Sequence, residues 1–241
     1  MRSASRLISA ALAASLLAGC ATTQDRNARA KLAATRLLTA RKPLGTVVPN
    51  PDVRLGKVAL LHHDGAAAIV VELRNDSAAP LTDLPIVVGL RNGSNQRPLN
   101  ARGGLSYFQS HVAAIAAHGS ATWVFTARKL KDLAGEPYAV VGRPSSPPLS
   151  TASALPAIGT RAVSGLGAVV EVRVANATSV PQYGLPVYAF ARRGSRYTAA
   201  GRAVLEHLGT GSSRELRVRL IGSTGGARLT VQSQPSMFDK P

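Results

Sequence analysis

Val71-Glu-Leu-Arg-Asn75-Asp-Ser77, followed by Pro80 and Leu84-Pro85-Ile86, returns later in the chain as Val172-Arg-Val-Ala-Asn176-Ala-Thr178, followed by Pro181 and Leu185-Pro186-Val187. Asn176 lies 101 residues after Asn75, and Gly93-Ser94 and Gly194-Ser195 keep the same offset. A register held through a strand and the turn after it predicts two copies of one domain. Within each copy the pattern has period two. Ile69, Val71 and Leu73 alternate with Val70, Glu72 and Arg74, and Val170, Val172 and Val174 alternate with Glu171 and Arg173. That is the strand repeat, so one face is expected to enter a core and the other to meet water. Asn and Ser or Thr side chains bond backbone groups at a strand end and start a turn, and the proline five residues after each Asn keeps the connection from pairing. The same triplets fit a glycosylation acceptor, the lesser of the two readings.

Working outward, further strands are expected at Val58 to Leu61, Pro85 to Leu90, His111 to Ile115, Ala121 to Thr126 and Tyr138 to Val141 in the first copy. Val187 to Ala191, Ala203 to His207, Leu216 to Leu220 and Arg228 to Gln232 serve in the second. Short strands split by turn residues, about 100 residues per unit, predict an all-β chain of two tandem immunoglobulin-like antiparallel β-sandwiches. The first domain is placed at residues 54–142 and the second at 151–241, joined at 143–150 by a Pro/Ser linker. Gly142-Arg143-Pro144-Ser145-Ser146-Pro147-Pro148 should be extended and semi-rigid, setting the copies end to end as a short rod. An apolar strand ending in Asn-x-Ser/Thr, then a Leu-Pro-Ile or Leu-Pro-Val strand, resembles the adhesion-type and FxLYD-like immunoglobulin-like modules of bacterial envelope proteins. Neither copy carries a full FxLYD string, and the resemblance implies fold alone.

The chain starts differently. Arg2 and Arg6 precede an apolar stretch from Leu7 to Leu17, too short to span a bilayer as a permanent helix, and small residues follow. Leu17-Ala18-Gly19-Cys20 resembles the lipobox of bacterial lipoproteins and contains the one cysteine of the chain. The resemblance implies a signal peptide at 1–19, diacylglyceryl transfer to the Cys20 sulfur and cleavage before it. It also implies anchoring by acyl chains at the cell membrane or outer membrane, facing away from the cytoplasm. Ala21 stands where an Asp would favour retention at an inner membrane. Residues 20–53 then read as a lipidated cysteine and basic spacer. Ala30, Ala33, Ala34, Leu37 and Leu38 recur at helical spacing within a short helix from Thr23 to Arg41, with Arg26, Arg29 and Arg36 largely off that face. Such a helix either rests on anionic head groups or serves as a plain spacer.

Charge and chemistry narrow the function less. The formal charge is +17 with a pI near 11.4, which favours polyanions by Coulomb attraction but fits equally a genome rich in arginine. One cysteine forms no internal disulfide, so stability rests on the cores. Neighbouring His62 and His63 point to opposite faces of a strand, and His111, His118 and His207 sit apart, with no helical His-x-x-x-His pair. The 12 carboxylates are scattered, without nucleophile elbow, phosphate-cradling loop or calcium loop. The expectation is a noncatalytic protein with no metal and no cofactor.

Two stretches are candidate binding surfaces. Tyr107, Phe108 and His111 lie where the first copy departs from the second, and with Trp123 and Phe125 nearby they gather four of the ten aromatic residues. They are candidates for a partner surface, or else core and cap residues. Arg217 and Arg219 share one strand face, and Arg192, Arg193 and Arg196 share a loop, as a candidate anion patch or a solvated face. The expected partners are the membrane, through the lipid, and another envelope protein or an anionic cell-wall or surface polymer. No nucleic acid is expected in vivo, because the export signal separates the chain from it.

Overall fold

Hairpin turns set the registers first. Val53–His63 (β1) runs into Ala66–Asn75 (β2) through Asp64-Gly65, both with positive φ (49° and 70°), the type I′ geometry that matches strand twist. Leu81–Asn92 (β3) turns through Gly93-Ser94 into Asn95–Pro98 (β4), and Gln182–Arg193 (β10) turns through Gly194-Ser195 into Arg196–Leu208 (β11). Gly93 and Gly194 have φ of 57° and 59°, so the repeated Gly-Ser is a two-residue turn whose first position needs glycine. The remaining strands are His111–Ile115 (β5), Ser120–Arg128 (β6), Glu136–Val141 (β7), Ile158–Leu166 (β8), Val169–Asn176 (β9), Ser213–Gly222 (β12) and Arg228–Ser233 (β13).

The computed structural model describes Leu32, Thr35, Arg36, Leu44 and residues 47–128, 130, 133–144 and 155–238. The chain divides into two compact units, Met1–Thr39 and Ala40–Pro241. In the first, Leu32, Thr35 and Arg36 have helical backbone, and the rest of the expected helix lies outside the described residues, as do Cys20 and the expected signal peptide. The second unit is all-β and holds both copies.

The copies share one strand plan. In the first, β1–β2–β6 forms one antiparallel sheet, and β3 pairs with β4, β5 and β7 in the other. In the second, β8–β9–β12 and β11–β10–β13 repeat these pairings, and β12 also joins β11 through Ala199↔Gly222 to close a six-stranded sheet. The single strand β11 does the work of β4 and β5 together. Residues 99–110 interrupt that strand in the first copy, leaving Val88 N and Ile86 O on that edge of β3 without a backbone partner. The Asn100 amide fills the gap as a peptide group would: its Oδ1 accepts from Val88 N at 2.8 Å and its Nδ2 donates to Ile86 O at 2.8 Å.

The Asn-x-Ser/Thr elements are built alike. Asn75 Oδ1 accepts from Ser77 N (2.9 Å) and Oγ (2.7 Å), while Nδ2 donates to Ala79 O (2.7 Å) and Ala116 O (3.0 Å). Asn176 makes the same set with Thr178 N, Thr178 Oγ1, Val180 O and Gly209 O. Both amides are buried, so they tie the β2–β3 and β9–β10 turns to the β5–β6 and β11–β12 turns at the same end of the sandwich. A local kink also repeats: Asp83 and Gly184, again 101 residues apart, have φ of 58° and 59° inside β3 and β10.

Each copy has its own core. Ile69, Val71, Leu73, Trp123 and Phe125 face Leu84, Ile86, Val88 and Val141 in the first; Val170, Val172, Val174 and Val218 face Leu185, Val187, Ala189 and Leu208 in the second. The expected end-to-end rod is not what forms. Ala68, Val70 and Val124, on the opposite face of β2 and β6, are buried too, in one cluster with Tyr188, Phe190, Tyr197, Ala200 and Ile221 of the second copy. The two sandwiches therefore stack sheet on sheet. The face of β2 expected in water becomes a seam, because it carries Ala and Val where the second copy carries Val169 and Glu171.

Candidate binding groove between the two copies

The aromatic candidates of the first copy turn inward. Phe108 is buried in a 3-10 turn, Tyr107–Gln109, whose Phe108 carbonyl accepts from Trp123 Nε1 at 3.2 Å. Half-buried Tyr107 stacks on buried His111 with ring centroids 4.0 Å apart, and His111 Nδ1 lies 3.0 Å from Ser110 Oγ. The interruption of the strand is thus capped by its own aromatic cluster. The remaining histidines stay apart: His63 sits 3.3 Å from Asp64, and His207 packs on Tyr183 at 4.8 Å. Among the described residues no three His, Cys, Asp or Glu side chains gather as a metal set.

The arginine candidates fall on two separate places. Arg217 and Arg219 lie on the outer face of β12, where Arg217 Nε pairs with Glu171 at 3.1 Å. The Ser164 hydroxyl and then Arg217 hold the exposed Glu171 carboxyl below its ordinary value. On the same face Arg173 pairs with Glu215 at 2.6 Å, so two of its arginines are met by carboxylates. Arg192, Arg193 and Arg196 lie at the β10–β11 hairpin, beside the seam.

At the seam the outer faces of β11, β10 and β13 form rows. Tyr197, Arg192 and Arg228 stand side by side across the three strands, as do Ala200, Phe190 and Thr230. Glu72 of the first copy reaches into the first row. Its Oε1 accepts from the Tyr197 hydroxyl at 2.6 Å and lies 3.5 Å from Arg192 Nη1, and its Oε2 accepts from Lys57 N at 3.2 Å. Arg192 also lies over the Tyr197 ring, 5.1 Å from its centroid, a cation–π contact. Burial pushes the Tyr197 phenol up to about 12, reinforced by the hydrogen bond and charge of Glu72 and opposed by Thr122 and Arg192. Lys57 Nζ donates to Ser195 O at 2.8 Å, and Gln232 Nε2 donates to Thr122 O, clamping the hairpin tip and β13 to the first copy.

Two cavities open along this seam and share Thr122 and Arg192. One of about 330 Å³ is lined by Gly56, Glu72, Arg74, Ser120 and Thr122. The other, about 520 Å³, is lined by Phe190, Gly194, Arg228 and Thr230. Their size is that of small-molecule sites. Arg228 and Arg192 side by side, with one carboxylate between the copies, make a groove suited to an anionic group, and threonine hydroxyls add neutral hydrogen bonds. Glu72, Tyr197, Thr122 and Arg228 were not singled out from the sequence. The available signal was the outer face of β10: Tyr188 and Phe190 stand where the first copy has Val87 and Gly89. Compared with protein-family models the chain matches none, and compared with curated proteins it gives no match. No helix among the described residues is long and apolar enough to cross a membrane.

Proposed function

We propose that the chain is a noncatalytic lipoprotein, held at a cell membrane or outer membrane by acyl chains on Cys20, whose paired sandwiches bind or scaffold another envelope protein. The observation that carries this reading is Leu17-Ala18-Gly19-Cys20 closing a basic and then apolar leader, with the chain's one cysteine at the cleavage point. Acyl chains anchor durably because each buried methylene contributes about 0.8 kcal/mol. The strand plan, β1–β2–β6 over β4/β5–β3–β7, supports reading each copy as an immunoglobulin-like module, a fold that presents surfaces more often than it performs reactions. Cys20→Ala should move the protein from the membrane fraction to the periplasm or medium, and crosslinking in the native envelope should capture a protein partner from the wild type. Retention of Cys20→Ala in the membrane sinks the anchor; crosslinks to lipid alone sink the partner.

One observation favours a second reading, the Arg192–Arg228 pair in the seam groove. In that reading the groove and hairpin tip bind an anionic cell-wall or surface polymer. Retention on such a polymer should then collapse between low and moderate salt, whereas capture of a protein partner should persist.

A further inference from the structure

The two seam cavities differ in the charge of their walls. The larger, about 520 Å³, carries two cations, Arg192 and Arg228, directly opposite each other on β10 and β13. Arg192 is drawn toward Glu72, 3.5 Å away. Arg228 has no carboxylate within ion-pair distance among the described residues, so this cavity keeps one uncompensated positive charge. The smaller, about 330 Å³, is lined by Glu72, Arg74 and Ser120, and by Thr122 and Arg192, which the two cavities share. There Arg74 is met by Asp76 at 3.1 Å and Arg192 by Glu72, so each charge has a partner. Apolar surface contributes little: Phe190 in the larger wall is 5% exposed and Leu73 in the smaller 2%.

Guanidinium, hydroxyl and carboxylate groups with little apolar surface between them are the partners of a polyhydroxylated ligand. One spare positive charge matches a singly charged oxyanion, and a second negative charge there would stay unpaired. Each Glu72 oxygen accepts one hydrogen bond, from the Tyr197 hydroxyl or from Lys57 N, and retains a lone pair for a ligand hydroxyl. A second anion, in the smaller cavity, would meet that carboxylate at close range. We propose that the two cavities bind consecutive units of an acidic carbohydrate. A unit with one carboxylate or phosphodiester lies against Arg228 and Arg192 in the larger, and an uncharged unit donates a hydroxyl to Glu72 in the smaller. This rests on the anionic-polymer reading and narrows it, since a polymer with neutral units between its acids fits the groove and a uniformly charged one does not.

The test is isothermal titration of the full chain in mild detergent at pH 7 and low salt. The probes are glucuronate, glycerophosphoglycerol, glucose, digalacturonate and the disaccharide of glucuronate and N-acetylglucosamine. Glucuronate or glycerophosphoglycerol should bind about tenfold tighter than glucose, and the tighter of the two identifies the oxyanion. The disaccharide should bind about tenfold tighter than glucuronate, and digalacturonate no tighter than glucuronate. Arg228→Gln, at an exposed strand position, should weaken the charged probes about tenfold and Thr230→Val about threefold. Arg217→Gln, on the outer face of β12, should leave them unchanged. Neither anion binding better than glucose, a disaccharide no tighter than glucuronate, or an Arg228→Gln titration equal to wild type overturns the proposal. Retention on immobilised hyaluronan at low salt separates the two readings. Retention that persists beside failed titrations sinks the groove alone, and its loss sinks the anionic-polymer reading beneath it.

Discussion

Removing the Asn75 amide should weaken the whole two-copy unit by about 3 kcal/mol. Asn75→Ala deletes four short hydrogen bonds, to Ser77 N, Ser77 Oγ, Ala79 O and Ala116 O. At about 1 kcal/mol each the loss approaches 4. It is trimmed because Ser77 Oγ already reaches Ala79 O at 2.9 Å and water can enter the part-buried turn. For a unit of this size that corresponds to a fall of about 6–12 °C in the unfolding midpoint. Asn176→Ala removes the equivalent set and should cost about the same. Urea unfolding followed by tryptophan fluorescence separates the two questions, since the chain's one tryptophan, Trp123, is fully buried in the first core. Because the copies share an apolar cluster, Asn176→Ala should shift the Trp123 transition as far as Asn75→Ala does. A cost below about 1 kcal/mol for Asn75→Ala would refute the structural reading of the amide. A Trp123 transition that ignores Asn176→Ala would refute the shared core.

Three further perturbations follow from particular contacts. Glu72→Gln removes the carboxylate charge, one of the causes that hold the Tyr197 phenol at about 12, so ultraviolet titration should show it ionising closer to its ordinary value of 10.0. In the wild type a raised phenol favours the folded state while protonated, so stability should be intact below about pH 10 and decline as pH rises toward 12; a flat alkaline profile would count against it. Phe190→Ala empties a buried ring at the seam and should cost about 3 kcal/mol by chemical denaturation; a loss under about 1 kcal/mol would mean the seam does not hold the copies together. Asp83→Gly should stabilise by about 1 kcal/mol, since the second copy has glycine at the same left-handed position and Asp83 Oδ1 is buried without a partner; destabilisation would show that the aspartate contributes there.

The strands and the repeat were legible because period two and turn chemistry are local. The expected strands all lie inside observed ones, and the Asn-x-Ser/Thr turn does what its side chains predict. What stayed hidden was non-local. The short β4 and the long β8 lack a clear apolar alternation, Asn-Gln-Arg-Pro in one and Ile-Gly-Thr-Arg-Ala-Val-Ser-Gly-Leu in the other. Their pairing comes from neighbours. The seam was written as a difference between copies, Val70 against Glu171 and Phe190 against Gly89, and the shared pattern drew attention to sameness instead. The groove residues inherit that blindness: Glu72 and Thr122 look like ordinary solvent-facing strand positions until the second copy covers them. Tyr107, Phe108 and His111 show the opposite case, a departure from the repeat that serves the fold of one copy.

The stacking also decides where the excess positive charge is available. An isolated sandwich would present two sheet faces, and here one face of each copy is consumed at the seam. On the β9–β12 face Arg173 and Arg217 are each met by a carboxylate, and Arg161 and Arg219 add positive charge to the same face. At the β10–β11 hairpin the balance differs. Lys57, Arg193 and Arg196 surround the tip, Arg192 and Arg228 stand behind it, and Glu72 is the acid that faces them. The five cations against one carboxylate make the hairpin end of the seam locally positive. The hairpin tip and the groove behind it therefore attract an anionic partner.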